Sequence, residues 1–168
     1  MQKYLITHLE VSEYSREISQ HVDQKKIEKY IRESELLDIK KTLGDELYLD
    51  IKSNQDKYKL LIEGGEYDNC GHKECFQGLR SALAYYTYAR IVKNGDNNVT
   101  RFGLVQKDSE YSSGVDFKEK LMAYNDAFSI GDSLLHECIR YLNATKNPLY
   151  KGNGKIKVRR MRCKVIGD

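Results

Sequence analysis

The chain has 168 residues, with 28 Lys and Arg against 25 Asp and Glu. This length suits one domain with a single buried core. Charged residues interrupt the opening stretch MQKYLITHLEVSEYSRE, so we expect neither a secretory signal nor a membrane span, and a protein made in a cytosol. The four cysteines are then expected to stay reduced, which argues against a disulfide framework.

The first half of the chain shows helical periodicity. From Asp23 to Ile51, apolar residues recur at spacings of three and four, with charged residues between them. The pattern predicts one or two amphipathic helices, with Asp23 as the N-cap and Gly44 as a break. A short helix over residues 55–63 is predicted to stop at the two glycines that follow it.

Three potential zinc ligands, Cys70, His72 and Cys75, come shortly after these glycines. Structural zinc sites take four ligands, usually as two spaced pairs, and this stretch offers only three. His136 or Cys138 of the last predicted helix would have to supply the fourth. We therefore interpret the stretch as a surface loop that leads into the next helix, with bound zinc as the alternative, and we expect no cofactor.

The second half predicts two longer helices. Residues 78–92 are apolar on nearly every side, which indicates a buried helix at the centre of the bundle. TRFGLVQK, residues 100–107, is β-like, and a last helix is predicted from Asp116 to about Asn143, before Pro148 bars continuation. The stripe predicted to be buried consists of Phe117, Leu121, Tyr124, Phe128, Leu135, Cys138 and Leu142.

The predicted fold class is mainly α. Residues 1–150 are expected to form a helical bundle of about four to five helices with a short β segment. Residues 151–168 are expected to form an extended basic C-terminal strand or tail, which we call the basic tail.

The basic tail holds seven Lys and Arg against one Asp, whereas the rest of the chain is slightly acidic. After Gly154, apolar and cationic residues alternate, with one extra residue at Arg159-Arg160, as in a strand with a β-bulge. A strand must pair its backbone groups, either with the TRFGLV segment of its own chain or with a sheet of another chain, and the third alternative is a terminus that stays disordered. The residues expected to bind partners are Lys155, Ile156, Lys157, Val158, Arg159, Arg160, Met161, Arg162 and Lys164.

The cations of the basic tail also suit nucleic acid, the commonest polyanion of a cytosol. The sequence shows no recognition helix, RNP-like aromatic pattern or zinc-finger spacing, so contact with DNA would be non-specific. An acidic protein surface fits the same cations equally well.

Signatures of catalysis are incomplete. His136-Glu137 lacks the second histidine of a zincin helix, and Gly152-Asn153-Gly154-Lys155 lacks the Ser or Thr of a phosphate loop. We expect a protein that is not an enzyme. A small nucleic-acid-binding or regulatory protein that uses the basic tail is the alternative to a structural role.

Four segments in succession carry a resemblance: YIRESELLDIKKTLGDELYLDI, LLIEGGEYDNC, FQGLRSALAYYTYARIV and TRFGLVQKDSEYSSGVDFKEK. Their order and character resemble the small head-tail connector (adaptor or neck) proteins of tailed bacteriophages, especially those infecting Bacteroides-type hosts, over roughly residues 10–150. The resemblance implies a virion protein at the head-tail junction that forms a ring, twelvefold in such connectors, beneath the portal. Such a ring seals the portal, continues the DNA channel and provides a surface for tail attachment. The implied partners are the portal protein, neighbouring copies of the chain, the next tail protein and packaged DNA, but no membrane.

Overall fold

The computed structural model describes residues 4–19, 22–95, 97–100, 103–106 and 116–152. It is mainly helical with short β segments, which confirms the predicted fold class. Within these ranges, none of the helices combines the length and apolar composition that crossing a bilayer requires.

The helical elements are α1 (His8–Tyr14), α2 (Gln24–Ser34), a π-helical turn (Glu35–Lys40), α3 (Lys41–Leu43), α4 (Asp45–Ser53), a 3-10 turn (Gln55–Tyr58), α5 (Lys59–Glu63), α6 (Gly78–Asn94) and α7 (Phe117–Ala144). Two antiparallel hairpins join β1 (Gly65–Asn69) to β2 (His72–Phe76), and β3 (Asn97–Thr100) to β4 (Gly103–Gln106).

Helix α6 forms the centre of the bundle. Helices α1, α2, α5 and α7 and the π-helical turn all pack against it, α7 most extensively. Ten of its 17 residues are buried, because apolar residues occupy nearly every side of the helix. The prediction of a buried central helix is confirmed.

Several predicted boundaries are confirmed by their local hydrogen bonds and backbone angles. The Asp23 side chain accepts the backbone N–H of Lys25 at 2.9 Å, as an N-cap does. Gly44 separates α3 from α4 with a φ of 84°, and Gly64 follows α5 with a φ of 86°. A glycine is favoured at both positions because positive φ strains other residues.

Helix α1 was not among the predicted elements, although the sequence carries a signal for it. The Thr7 hydroxyl accepts the backbone N–H of Glu10 at 3.3 Å, and the Glu10 carboxylate accepts that of Thr7 at 2.7 Å. This reciprocal pair is the capping box, which the Thr-x-x-Glu spacing indicates. Glu10 also lies 3.1 Å from Arg80 of α6, so the cap of α1 is tied to the central helix.

The prediction that Phe117 belongs to the buried stripe of α7 is wrong. Its side chain is 74% exposed, and the buried residues of α7 begin at Leu121. The helical spacing is correct, but the first turn of α7 is exposed and burial begins only at its second turn.

The π-helical turn carries a buried carboxylate that joins three segments. Glu35 accepts hydrogen bonds from the Tyr48 hydroxyl at 2.7 Å, the Lys52 ammonium at 2.8 Å and the backbone N–H of Leu5 at 3.0 Å. Its side chain is 2% exposed, so these three donors replace the water that the charge loses on folding. The N-terminal segment and α4 are thereby fixed to the end of α2. Burial, and then the bond to Glu35, raise the pKa of Tyr48.

Two glycines bring the ends of the β1–β2 hairpin together. A Cβ on Gly78 would lie 2.4 Å from the backbone N of Gly64, and a Cβ on Gly64 would lie 2.5 Å from the carbonyl O of Phe76. Both glycines also have positive φ. Close backbone contact at this point lets α5 lead into the hairpin, and the hairpin into α6, without a longer loop.

The contact between Gly64 and Gly78 gives the first testable prediction. Gly78→Ala should lower the free energy of unfolding by more than about 2 kcal/mol, because it adds a backbone clash to the cost of positive φ. Gly71→Ala is the matched control, since Gly71 has a φ of 86° but nothing within 4 Å of its Cβ position. Urea denaturation followed by circular dichroism measures both variants. Equal losses would show that the close contact does not contribute.

A second prediction concerns the packing of α6 on α7. A Cβ at Gly131 would lie 3.0 Å from two ring carbons of Tyr86, whose ring is fixed by burial and by a 2.7 Å hydrogen bond to Asp132. Gly131→Ala should therefore lower stability by about 1 kcal/mol, because overpacking outweighs the gain of about 1 kcal/mol in helix propensity. Tyr86→Leu should remove this penalty in a double-mutant cycle measured by denaturation. A net gain from Gly131→Ala alone would contradict the tight contact.

Candidate interaction surface

All nine tail residues expected to bind partners (Lys155, Ile156, Lys157, Val158, Arg159, Arg160, Met161, Arg162 and Lys164) lie outside the described residues. The structure does describe the segment from which they continue, residues 145–152, which we call the tail root. It follows the C-terminal end of α7.

The tail root is fastened to the bundle and directed onto α4. Leu149 and Tyr150 pack partly buried against the core. The next residue, Lys151, lies 2.6 Å from Glu46 at the start of α4, with both side chains at least 60% exposed. An ion pair this exposed stabilises the fold by only about 0–1 kcal/mol, so it favours this direction of the chain without fixing it. Leu49, one turn further along α4, is 60% exposed on the same side of that helix.

The stretch with Cys70, His72 and Cys75 is a β-hairpin, so its interpretation as a surface loop is wrong. Asn69 pairs with His72, which leaves a two-residue turn. Both turn residues have positive φ, 53° for Cys70 and 86° for Gly71, as a type I′ turn requires. The Asp68 carboxylate accepts the Gly71 N–H at 2.9 Å and supports the turn. Glycine at the second turn position was the available sequence signal.

The hairpin does not bring the three candidate zinc ligands together. His72 and Cys75 are three residues apart in β2, and alternate residues of a strand point to opposite faces. Cys70 and Cys75 are exposed, while Cys138 is buried within the bundle, where burial raises the pKa of its thiol. Over the described ranges, no three His, Cys, Asp or Glu residues are grouped so that they could hold a metal ion.

One face of the hairpin packs on the end of α7 through three aromatic rings. The ring centroids of Phe76 and Tyr141 are 4.7 Å apart in a stacked arrangement, and Tyr67 contacts both rings edge-on at 5.7 and 5.2 Å. Aromatic pairs of this geometry stabilise by about 0.5–1.5 kcal/mol each beyond the burial of their area. The hairpin is therefore a fixed part of the bundle.

Glu74 links the polar groups on this same face. It accepts hydrogen bonds from the Tyr67 hydroxyl at 2.7 Å and from the Asn69 side chain at 2.8 Å, and Arg140 lies 3.9 Å away. These donors, the Tyr67 hydroxyl first, hold the pKa of Glu74 below its ordinary value. Burial, and then the bond to Glu74, raise the pKa of Tyr67 to about 12. Glu74 therefore stays ionised and Tyr67 stays neutral at physiological pH, so the hydrogen bonds on the inner face of the hairpin do not change with pH in that range.

The outer edges of the hairpin follow from its register. In a two-residue hairpin the pair that closes the turn is hydrogen bonded, and hydrogen-bonded and non-bonded pairs then alternate. The pairs Glu66–Cys75 and Asp68–Lys73 are therefore the non-bonded ones. Their backbone N–H and C=O groups point away from the opposite strand. Since the described sheet has only these two strands, both edges are open to another strand there.

The bundle also exposes large apolar side chains on several elements. Five are 59–74% exposed, and α1, the π-helical turn, α4 and α7 each contribute at least one of them. Single exposed apolar side chains are ordinary, but their presence on several different elements gives the subunit more than one surface for contact. These side chains are Leu9, Leu37, Leu49, Phe117 and Met122.

A buried polar cluster between α2, the π-helical turn, α6 and α7 was not expected from the sequence. Arg90 of α6 lies 2.7 Å from Asp38 and donates to the Ser34 hydroxyl at 3.0 Å. Next to it, the Tyr86 hydroxyl donates to Asp132. Burial raises the pKa of Asp38, although the charge of Arg90 acts to lower it. Burial likewise raises the pKa of Asp132, although the hydrogen bond from Tyr86 acts to lower it. Each carboxylate has a partner on α6, so the cluster joins the helices around that central element.

Comparison with known proteins gives one family. A model described as "Family of unknown function (DUF6712)" matches residues 39–160, a span from the π-helical turn into the basic tail. No curated protein matches the chain. No solved structure matches it either.

The raised pKa of Asp132 predicts a pH-dependent effect of its removal. A buried acid with a raised pKa stabilises the fold below its ordinary pKa of about 3.9, and that contribution is lost as pH rises through the raised value. Asp132→Asn keeps an oxygen that accepts from Tyr86, so it should match the parent near pH 3 and be the more stable chain at pH 7, by about 1.4 kcal/mol for each unit of the shift. Denaturation midpoints measured from pH 3 to 8 give the difference. Glu119→Gln removes an exposed charge from the first turn of the same helix and should slightly lower stability instead. A loss at pH 7 for Asp132→Asn would contradict the burial cost.

Proposed function

We propose that this chain, which belongs to the DUF6712 family of unknown function, is a structural subunit of a bacteriophage head-tail connector. In this role it forms a ring under the portal, seals the portal, continues the DNA channel and provides a surface for tail attachment. It acts in the virion, at the head-tail junction, and carries out no catalysis.

The observation that carries the proposal is a fixed helical body followed by a separate cationic segment with the alternation of a strand. The body ends in a root that packs on the core, and the alternating segment begins at Lys155, four residues after the contact of Lys151 with Glu46. A strand-like segment needs backbone partners, and a neighbouring protein can supply them. The order of segments that resembles the connector proteins supports the portal as one such neighbour.

Ring formation requires two different complementary faces on each subunit, because head-to-tail contacts are heterologous. The body supports this requirement with exposed apolar side chains on α1, α4 and α7 and with the open edges of the β1–β2 hairpin. The opposite charges of the body and the basic tail further support contacts between copies.

A second candidate is a small nucleic-acid-binding or regulatory protein, which the seven Lys and Arg of the basic tail favour. The two functions differ in what the purified chain binds. A connector binds a portal oligomer, whereas a nucleic-acid-binding protein binds generic DNA with an affinity that falls steeply as salt increases.

Removal of residues 154–168 tests the connector role. The truncated chain should keep the helical circular dichroism of the body and lose binding to the portal protein of the same phage, because the strand that docks is gone. Co-sedimentation and particle images of portal mixed with the chain measure the binding. A full-length variant with the tail residues scrambled, which keeps the charge but not the alternation, should also fail to bind.

The outcomes separate the two functions. Undiminished portal binding by the truncated chain would reject the docking role of the tail. Normal portal binding by the scrambled chain would assign the effect to charge alone. Absence of portal binding by the intact chain, together with salt-dependent DNA binding, would favour the nucleic-acid-binding function.

A further inference from the structure

The open edge of β1 presents a regular acidic pattern. Glu66 and Asp68 are the two β1 residues whose backbone groups point away from β2, and both side chains are exposed on the face of the hairpin opposite α7. They lie two residues apart, so a strand added here would meet an acid at every second position. The alternate residue Tyr67 faces the other way, into the aromatic contact with α7.

The sequence of the basic tail has the complementary pattern. Lys155 and Lys157 are two residues apart, and Ile156 and Val158 alternate with them. If these lysines lie on the outer face beside Glu66 and Asp68, the apolar residues fall on the inner face, beside Tyr67. Opposite charges directly across two strands stabilise their pairing, and the apolar side chains gain burial.

The other edge of the hairpin suits the tail less well. On β2 the residues with outward backbone groups are Lys73 and Cys75, both exposed. Lys73 would repel a lysine placed across from it, and Cys75 carries no opposing acid. Charge therefore favours β1 over β2 as the edge that accepts the tail.

The tail root fixes where the tail starts on its own subunit. Leu149 and Tyr150 are held against the core, and Lys151 binds Glu46 of α4. The tail thus continues from Lys151 beside α4, whereas the hairpin packs on α7. The glycines of Gly152-Asn153-Gly154 then allow it to leave the subunit.

We propose that the basic tail of one copy adds as a third strand to the β1 edge of a neighbouring copy, with its alternate lysines against Glu66 and Asp68. This inference deepens the proposed function and rests on it, because a connector ring needs a head-to-tail contact between copies. The occupant of the β1 edge is a second molecule of this chain, and the outer edge of the added strand is left for the portal.

Cross-linking between two differently marked full-length chains tests the contact. Cys70, Cys75 and Cys163 are changed to Ser in every chain, and buried Cys138 is kept. One chain then carries Glu66→Cys, and the other carries Lys155→Cys or Lys157→Cys. After mixing at high concentration and mild oxidation, a disulfide-linked dimer should form with at least one of the two tail positions. Lys73→Cys on the opposite edge is the matched control and should give at least tenfold less dimer.

A backbone test complements the cross-link. Glu66→Pro removes an outward N–H from β1 but no hydrogen bond within the hairpin, so it should abolish association between copies measured by light scattering. Lys73→Pro makes the same change on β2 and should leave association intact. Equal dimer yields for the two edges, a link formed only within one chain, or association that survives Glu66→Pro would each overturn the inference.

The portal is absent from both measurements, so the two proposals fail separately. A chain that links between copies but ignores the portal contradicts the connector role alone. A chain that binds the portal without this link contradicts the β1 contact alone.

Discussion

Burial of α6 on nearly every side is the constraint on which the rest of the structure depends. A helix surrounded in this way leaves little surface on which polar groups can meet water, so its buried polar groups need partners inside the protein. The Thr87 hydroxyl turns back to the carbonyl of Leu83, while Tyr86 and Arg90 reach carboxylates on the helices around them. The central element therefore sets both the apolar contacts and the polar groups that its neighbours must supply.

Local signals in the sequence account for most of the helical fold. Gly44 and Gly64 follow the ends of α3 and α5, where the backbone has a positive φ that favours glycine. The apolar residues on nearly every side of α6 indicate its position in the core. The π-helical turn has no such signal, because it depends on tertiary partners. Its wider turn rotates successive residues less than an α-turn does, and Glu35 and Asp38 bind different groups, on α4 and α6 respectively. Exposure of Phe117 likewise depends on which turns of α7 pack against the bundle, and periodicity does not reveal this.

Sequence reasoning identifies one partner of the proposed contact, the basic tail, but not the strand edge that accepts it. The tail is evident from its charges and alternation, but its proposed acceptor depends on which residues of a five-residue strand have outward backbone groups. That assignment follows from the register of Asn69 with His72. From the sequence alone, the cysteines and histidine around the turn indicate a surface loop or a metal site rather than a strand edge. Short strands with one inward aromatic residue each, Tyr67 and Phe76, give too little alternation to predict a hairpin.

The contact of Gly64 with Gly78 also has an evolutionary consequence. Because the hairpin leaves and rejoins the bundle at almost one point, its turn and its outward-facing residues can change while α5 and α6 keep their alignment. The edge that we propose for recognition can thus be exchanged as long as Tyr67 and Phe76 keep their contact with α7. Descendants of one ancestral chain can then acquire new neighbours by altering only the exposed residues of this hairpin, while its buried aromatic residues stay unchanged.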